Sequence, residues 1–377
     1  MQRIILTIFL LFANQLTAET VEEILYMPTD ASSGNLFLLN PANHKPGPTQ
    51  VGVLGLQREK ELNFNQDHTG DPTFEQESKY DHIALGTLMD LGAGAGFGIV
   101  HQMMYQKNQS KMRGNRFSER EELVREQSTA GKVVIELTEN LSAGINLKYF
   151  HKSWDIYGHS FLSEENKTKY SVTMFGFGYG LNYRSSQWAA SYAYFPPLRG
   201  KSDIQGEELI VVEPGKITAD LQMKMTPEMR LGLGGGRALV DFDDRAQGTT
   251  AADNETTISL FGLDIDQYLL ARSDFSLGVE YKVMPTLYVR GAIFQETSSF
   301  HFNEMQRILL LGVQQNNDEI EMKSMKYKVD LSYQHKQLKL SFGVEMLERK
   351  HEFSTDQNGA VYKSTVQTQF LSVDTQL

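Results

Sequence analysis

Apolar and polar residues alternate with a period of two along most of this 377-residue chain. The clearest run sets Ile217, Ala219, Leu221, Met223 and Met225 against Lys216, Thr218, Asp220, Gln222 and Lys224. Successive strand side chains point to opposite faces, so such a segment has one face suited to hydrocarbon or a dry core and one suited to water. The same period recurs in Val133–Leu137, Leu141–Tyr149, Phe175–Tyr183, Phe275–Val283, Met325–Tyr333 and Leu338–Met346. Many of these runs exceed the ~5–6 residues usual for a strand in a soluble sandwich, and their polar set is charged more often than a solvated face requires. An all-β, antiparallel fold is the direct reading.

Tight turns are expected near 90–92, 139–141, 184–187, 226–228, 284–285 and 335–337. Long polar loops are expected at 58–78, 108–128, 155–167, 197–214, 241–256, 297–321 and 352–361, where charge, Asn, Gly and Pro accumulate. Short turns at one end and long loops at the other are the rhythm of a transmembrane β-barrel of about fourteen strands, since single-chain bacterial barrels have even counts. Residues 257–283 are too long for one strand and are read as a loop excursion, a small hairpin or helix, before a spanning strand at 274–283. Aromatics beside the turns, Tyr183, Trp188, Tyr281 and Tyr333, suit an interfacial girdle, although ordinary β-propensity also favours them.

Composition sharpens this picture. The net charge is −11 and cysteine is absent, so stability must come from the hydrogen-bonded sheet rather than from disulfides. No internal segment approaches the ~18–20 apolar residues of a membrane helix, whereas a barrel strand needs only every second residue apolar. Arg3, the apolar run Ile4–Ala13 and Leu16-Thr17-Ala18 fit a secretory signal over residues 1–18. The expected organisation is therefore 1–18 signal, 19–48 N-terminal segment and 49–377 barrel, in the bacterial outer membrane.

Between the signal and the first strand, Asp30-Ala31-Ser32-Ser33-Gly34-Asn35-Leu36-Phe37-Leu38-Leu39-Asn40-Pro41-Ala42 leads into Pro46-Gly47-Pro48-Thr49-Gln50-Val51-Gly52-Val53. This resembles the N-terminal signature of the FadL-type long-chain fatty-acid transporters, in which Asn-Pro-Ala precedes strand one. The segment Gly278–Ala292 is similar to a strand–turn–strand of that family and of many other outer-membrane barrels. The resemblance implies a fourteen-stranded barrel with residues 19–48 folded inside as a plug, with Asn40, Pro41 and Ala42 at its base as a gate. Pro41 fixes its own φ and restrains Asn40 to extended geometry, which suits a rigid bend; an ordinary turn before a strand reads the same way.

The resemblance also implies sideways passage of a hydrophobic substrate through a kinked third strand. Gly94, Gly96 and Gly98 are the candidates, either as a kink or as small residues that clear the plug. Ile308, Leu309, Leu310 and Leu311 form the one strongly apolar run in an expected outer loop, and are read as a landing patch or as a loop helix folded back on the mouth. At the C-terminus, Leu371, Val373 and Leu377 fit a closing strand that lacks the terminal Phe common in bacterial barrels.

The glycine runs 92–98 and 232–236 lack dinucleotide spacing and a following helix, and the nine histidines show no metal-ligand spacing. No cofactor, metal or catalytic residue is therefore expected. Lys132, Glu136, Lys148, Lys216, Asp220, Lys224, Glu280, Lys326, Lys328 and Asp330 share the lumen parity and are expected to pair across strands or line a conduit. The expected function is passive uptake of hydrophobic molecules such as long-chain fatty acids. The alternatives are a porin-like or structural barrel without a lipophilic substrate, or a barrel enzyme with a His–Ser–acid cluster at its rim. Expected partners are outer-membrane lipid, the hydrophobic cargo and the barrel-insertion machinery, with no nucleic acid and a monomeric state.

Overall fold

The computed structural model describes residues 26–29, 40–42, 49–65, 74–112, 118–160, 163–204, 207–213, 215–239, 255–260, 263–308, 312–353 and 360–376. The 1–18 signal therefore lies outside the described residues, as does most of 19–48. Among the described residues there are seventeen strands. In chain order they are β1 (Gln50–Asn65), β2 (Phe74–Gly92), β3 (Ala95–Met112), β4 (Ser118–Thr138), β5 (Leu141–Ser160), β6 (Ser163–Arg184), β7 (Trp188–Phe195), β8 (Leu198–Ile204) and β9 (Glu207–Glu213). The remainder are β10 (Gly215–Lys224), β11 (Met229–Leu239), β12 (Glu255–Leu260), β13 (Leu263–Met284), β14 (Leu287–Ile308), β15 (Gly312–His335), β16 (Leu338–Phe353) and β17 (Ala360–Gln376).

Fifteen of these strands share one antiparallel sheet, and β12 pairs in it only with β13, so fourteen close on themselves through β1–β17 and β11–β13. Closure pairs the sheet edges around the cylinder, and in hydrocarbon every unpaired backbone group costs several kcal/mol. The alternation decides which face is which. Outward residues form an apolar band that includes Ile83, Leu85, Ile145, Leu147, Phe175, Phe177, Leu277, Tyr327, Val329 and Phe342, all exposed to the barrel's surroundings. The opposite parity is buried in the lumen and carries Lys132, Lys326, Lys328 and Asp330. This inverts a soluble core and matches a membrane-spanning barrel.

The expected tight turns are all present and mark one end of the cylinder. In the β2–β3 turn, Gly92, Ala93 and Gly94 adopt φ of 78°, 52° and 76°, a left-handed stretch that glycine enters without Cβ strain. Tyr183 stacks on Trp188 at 4.5 Å beside the β6–β7 turn, placing amphipathic rings at the band's margin.

The long loops are where the structure departs from the sequence reading. Most of 58–65, 74–78, 118–128, 155–160 and 297–308 is strand, not loop: β4 runs on from the band to Ser118 and β14 to Ile308. The outward face of these extensions is polar because it has left the hydrocarbon, and it is crossed by exposed ion pairs such as Lys79–Glu59 and Lys107–Glu121. The 257–283 excursion is a hairpin, with β12 folding back on the upper part of a continuous β13. Segment 197–214, expected as an outer loop, forms the β8–β9 hairpin.

Candidate functional site

The wall around the lumen is uneven. On one side β4, β5 and β6 run 21, 20 and 22 residues, while their neighbours β7 and β10 run only 8 and 10. The β6–β7 ladder covers only Tyr179–Arg184 against Ala189–Tyr194. Outward-facing Phe175 and Phe177 therefore belong to the apolar band, yet no β7 residue pairs with that part of β6. The result is a notch in the wall at the outer margin of the band.

The chain leaves β7 at Phe195 and turns inward. Pro196 and Pro197, with fixed φ and no backbone N–H, cannot continue the β7 ladder. The turn passes so close to β10 that a Cβ on Gly215 would stand 2.5 Å from the Phe195 carbonyl oxygen and 2.7 Å from Pro197 N. The β8–β9 hairpin then lies against the lumen face of β6. Leu198 packs on a buried cluster of Val124, Phe150, Trp154, Val172 and Met174 at the mouth. A Cβ on Gly200 would stand 2.6 Å from Met174 Cγ.

This cluster is a buried apolar lining, only 1–3% exposed with Leu198 packed against it, and it has cations at its edge. Lys152 Nζ stands 4.9 Å from the Trp154 ring and Lys148 Nζ 5.5 Å from the Phe150 ring. Such placement satisfies an ammonium in part while leaving the ring surface apolar. A second apolar patch, Leu54, Leu56, Ala84, Leu88, Val100 and Phe370, lines the lumen under β1–β3 and β17.

Two stretches of the N-terminal segment lie inside the lumen. Asn40, Pro41 and Ala42 sit on the β5–β7 wall, where Asn40 Nδ2 donates at 3.1 Å to the carbonyls of Leu181 and Tyr192, themselves cross-strand partners. Asn40 Oδ1 accepts the Ala42 amide at 2.9 Å, closing the bend that Pro41 prepares, and Ser142 Oγ donates to the Ala42 carbonyl at 3.0 Å. A Cβ on Gly144 would stand 2.5 Å from the Pro41 carbonyl carbon, and one on Gly180 would overlap the Asn40 amide. Glycine is required at both because residues 40–42 pass there.

Tyr26–Thr29 sits on the β11–β14 wall. Met27 and Tyr26 pack with Ala292 and Phe294, and the Pro28 backbone crosses Gly232. Lys328 Nζ donates to the Tyr26 carbonyl at 2.9 Å, while the Tyr26 hydroxyl donates to Asp220, which also accepts from Ser191 Oγ at 2.8 Å. Burial first, and Asp220 next, raise the Tyr26 phenol well above its ordinary pKa, which keeps it protonated as the donor.

Several of the lumen charges pair across strands. Arg290 grips Asp330 with two guanidinium nitrogens, Nε at 2.8 Å. Glu345 lies between Arg58 at 3.5 Å and Lys326 at 3.7 Å, and Lys216 faces Asp274 at 3.7 Å. Gly96 and Gly98 pair on both sides and Gly94 lies in the turn; the β3–β4 ladder has no register shift, whereas the β2–β3 ladder shifts between Asp90, the partner of Gly96, and Gly92. Ile308 ends β14 opposite Gly312; Leu309, Leu310 and Leu311 lie outside the described residues. Sequence reasoning missed the notch and Leu198. Its available signal was Pro196-Pro197 after an alternating run that stops short of a full span.

No family model and no curated protein matches the sequence. Solved structures do match. A Pseudomonas aeruginosa FadL homologue superposes with a TM-score of 0.60 over 89% of this chain and 92% of its own, at 10% identity. The fold is that of the FadL-type channels. The Pseudomonas putida toluene transporter TodX aligns with a TM-score of 0.57 over 90% of this chain and 93% of its own at 12% identity. The Ralstonia pickettii toluene transporter TbuX aligns at 0.52 over 93% and 98%, also at 12% identity. Across these FadL-like barrels the shared quantity is backbone architecture, which fourteen alternating strands can preserve at very low identity.

Proposed function

We propose that this protein is an outer-membrane channel through which hydrophobic small molecules diffuse passively. The carrying observation is the apolar vestibule of Phe150, Trp154, Val172 and Met174 placed at the lumen mouth, directly beside the β6–β7 notch. A hydrophobic solute gains roughly 25 cal/mol per Å² of apolar surface removed from water, so such a vestibule concentrates it. Its passage down the lumen axis meets residues 26–29 and 40–42 and a belt of paired charges, whereas the notch opens toward the apolar band. Exit at the notch delivers the solute to lipid without crossing the charged interior.

Residues 19–48 act in this reading as the plug that closes the axial path, with Asn40-Pro41-Ala42 as its fixed base. The names of the similar channels, for toluene and for other hydrophobic compounds, support a small hydrophobic cargo and leave fatty acid and hydrocarbon as the two classes to compare. The test is uptake of radiolabelled toluene and of labelled oleate by cells carrying the gene or an empty vector. Gene-dependent uptake of either probe is expected. Equal uptake of both in the two strains, with gene-dependent entry of a small sugar instead, overturns the reading in favour of a general porin.

A further inference from the structure

The β8–β9 hairpin occupies the one place where the vestibule and the notch meet. Along the lumen face of β6, Val172 and Met174 belong to the vestibule, and Gly176 and Gly178 follow on the stretch that has no β7 partner. Phe195 covers Gly178 with its ring, and Leu198 covers Gly176: a Cβ at 176 would overlap the leucine side chain and stand 3.2 Å from its Cγ. Between those two covers stand only Pro196 and Pro197. Leu198 also packs against the vestibule cluster, so one side chain touches both compartments.

We propose that Leu198 is the gate between vestibule and notch, carried on a hairpin that pivots at Pro196–Pro197 and must lift off Gly176 for cargo to pass. This rests on the channel reading given above. The contact is suited to reversible opening. It is apolar on both sides, so lifting Leu198 exposes surface that the hydrophobic cargo itself then covers. On the β6 wall it seats on Gly176, which has no side chain to interlock with it. Size selection follows, because a cargo must displace Leu198 while still filling the space beside Phe150 and Trp154.

The sequence has no cysteine, which makes a direct test available. In the double variant Gly176→Cys/Leu198→Cys the second sulfur replaces Leu198 Cγ, 3.2 Å from the new Cβ. That is close to the about 3 Å between one sulfur and the far Cβ of a disulfide. Purified barrel is reconstituted in vesicles, oxidised with diamide, and its bridging and heat-modifiable gel mobility are recorded before uptake of labelled toluene and oleate. Oxidised protein should lose about tenfold in uptake at unchanged barrel mobility, and dithiothreitol should restore it. The single variant Leu198→Ala should carry at least the parental flux.

Equal flux in the oxidised and reduced forms overturns the proposal. So does failure of the bridge to form, because Leu198 is then not seated on Gly176, and so does loss of flux in Leu198→Ala. Absence of flux in the parent protein for both probes overturns the channel reading itself and is seen before any variant is compared.

Discussion

The tall and short sides of this barrel obey the same physics to different extents. Both present an apolar outer face and a polar lumen face, yet β4–β6 continue far past the hydrocarbon while β7 and β10 stop near the ~9–11 residues a tilted strand needs to span it. On the tall side, surplus strand builds a wall around an apolar mouth. On the short side, the chain turns inward at Pro196 and Pro197 and leaves β6 unpaired beside that mouth. In the proposed channel, this difference in wall height is what would direct cargo toward lipid instead of along the axis.

The largest effect is expected away from both sides, at the internal charge clamp that joins β14 to β15. Arg290→Met leaves Asp330 buried without its guanidinium and should cost about 3–5 kcal/mol of barrel stability in a urea titration. The double variant Arg290→Met/Asp330→Leu should recover most of it. A ΔΔG below about 1 kcal/mol for the single variant would mean that water reaches the pair.

Gly180→Leu acts where β6 meets the short β7, driving a side chain into the space of the Asn40 amide at a cost of about 1–3 kcal/mol for overpacking. Its sharper signature is release of the N-terminal segment, read as new protease cleavage within 26–42 in an otherwise intact barrel and as a steady open conductance in planar bilayers. Asn40→Ala is milder. It removes the donor to Leu181 and Tyr192 and should cost about 1–2 kcal/mol of seating, visible as partial cleavage at the same sites. The smallest effect is that of Phe195→Ala, which uncovers Gly178 at the foot of the notch. It should raise the flux of a bulky hydrophobe about two- to threefold relative to toluene and leave stability nearly unchanged.

Much of this architecture was legible in the alternation itself. The period of two assigned Lys326, Lys328 and Asp330 to the lumen, and the turn residues located the six tight turns at one end of the cylinder. It failed where hydrocarbon ended. Beyond Ile83 on β2 the outward residues are Asp81 and Lys79, so the apolar signal stops while the hydrogen-bonded ladder continues, and such polarity reads as loop in sequence. The Gly232–Gly236 run was judged only against phosphate cradles. Every second glycine in it, at the lumen parity, instead clears the N-terminal segment or a lumen side chain, a role visible only once Pro28 and Tyr26 are placed across the wall. The β8–β9 hairpin was hidden for a related reason: seven-residue strands of mixed polarity carry no mark of whether they fold outward or into the mouth.

The most direct test of the central claim is to let the cargo mark its own route. A photoreactive alkyl diazirine is equilibrated with the reconstituted barrel, irradiated, and its adducts mapped by mass spectrometry with and without excess unlabelled oleate. The account predicts competable adducts on Trp154, Met174, Leu198 and Phe195, along the path from vestibule to notch. Adducts confined to lipid-facing residues such as Phe177 and Leu147, unaffected by competitor, would contradict it.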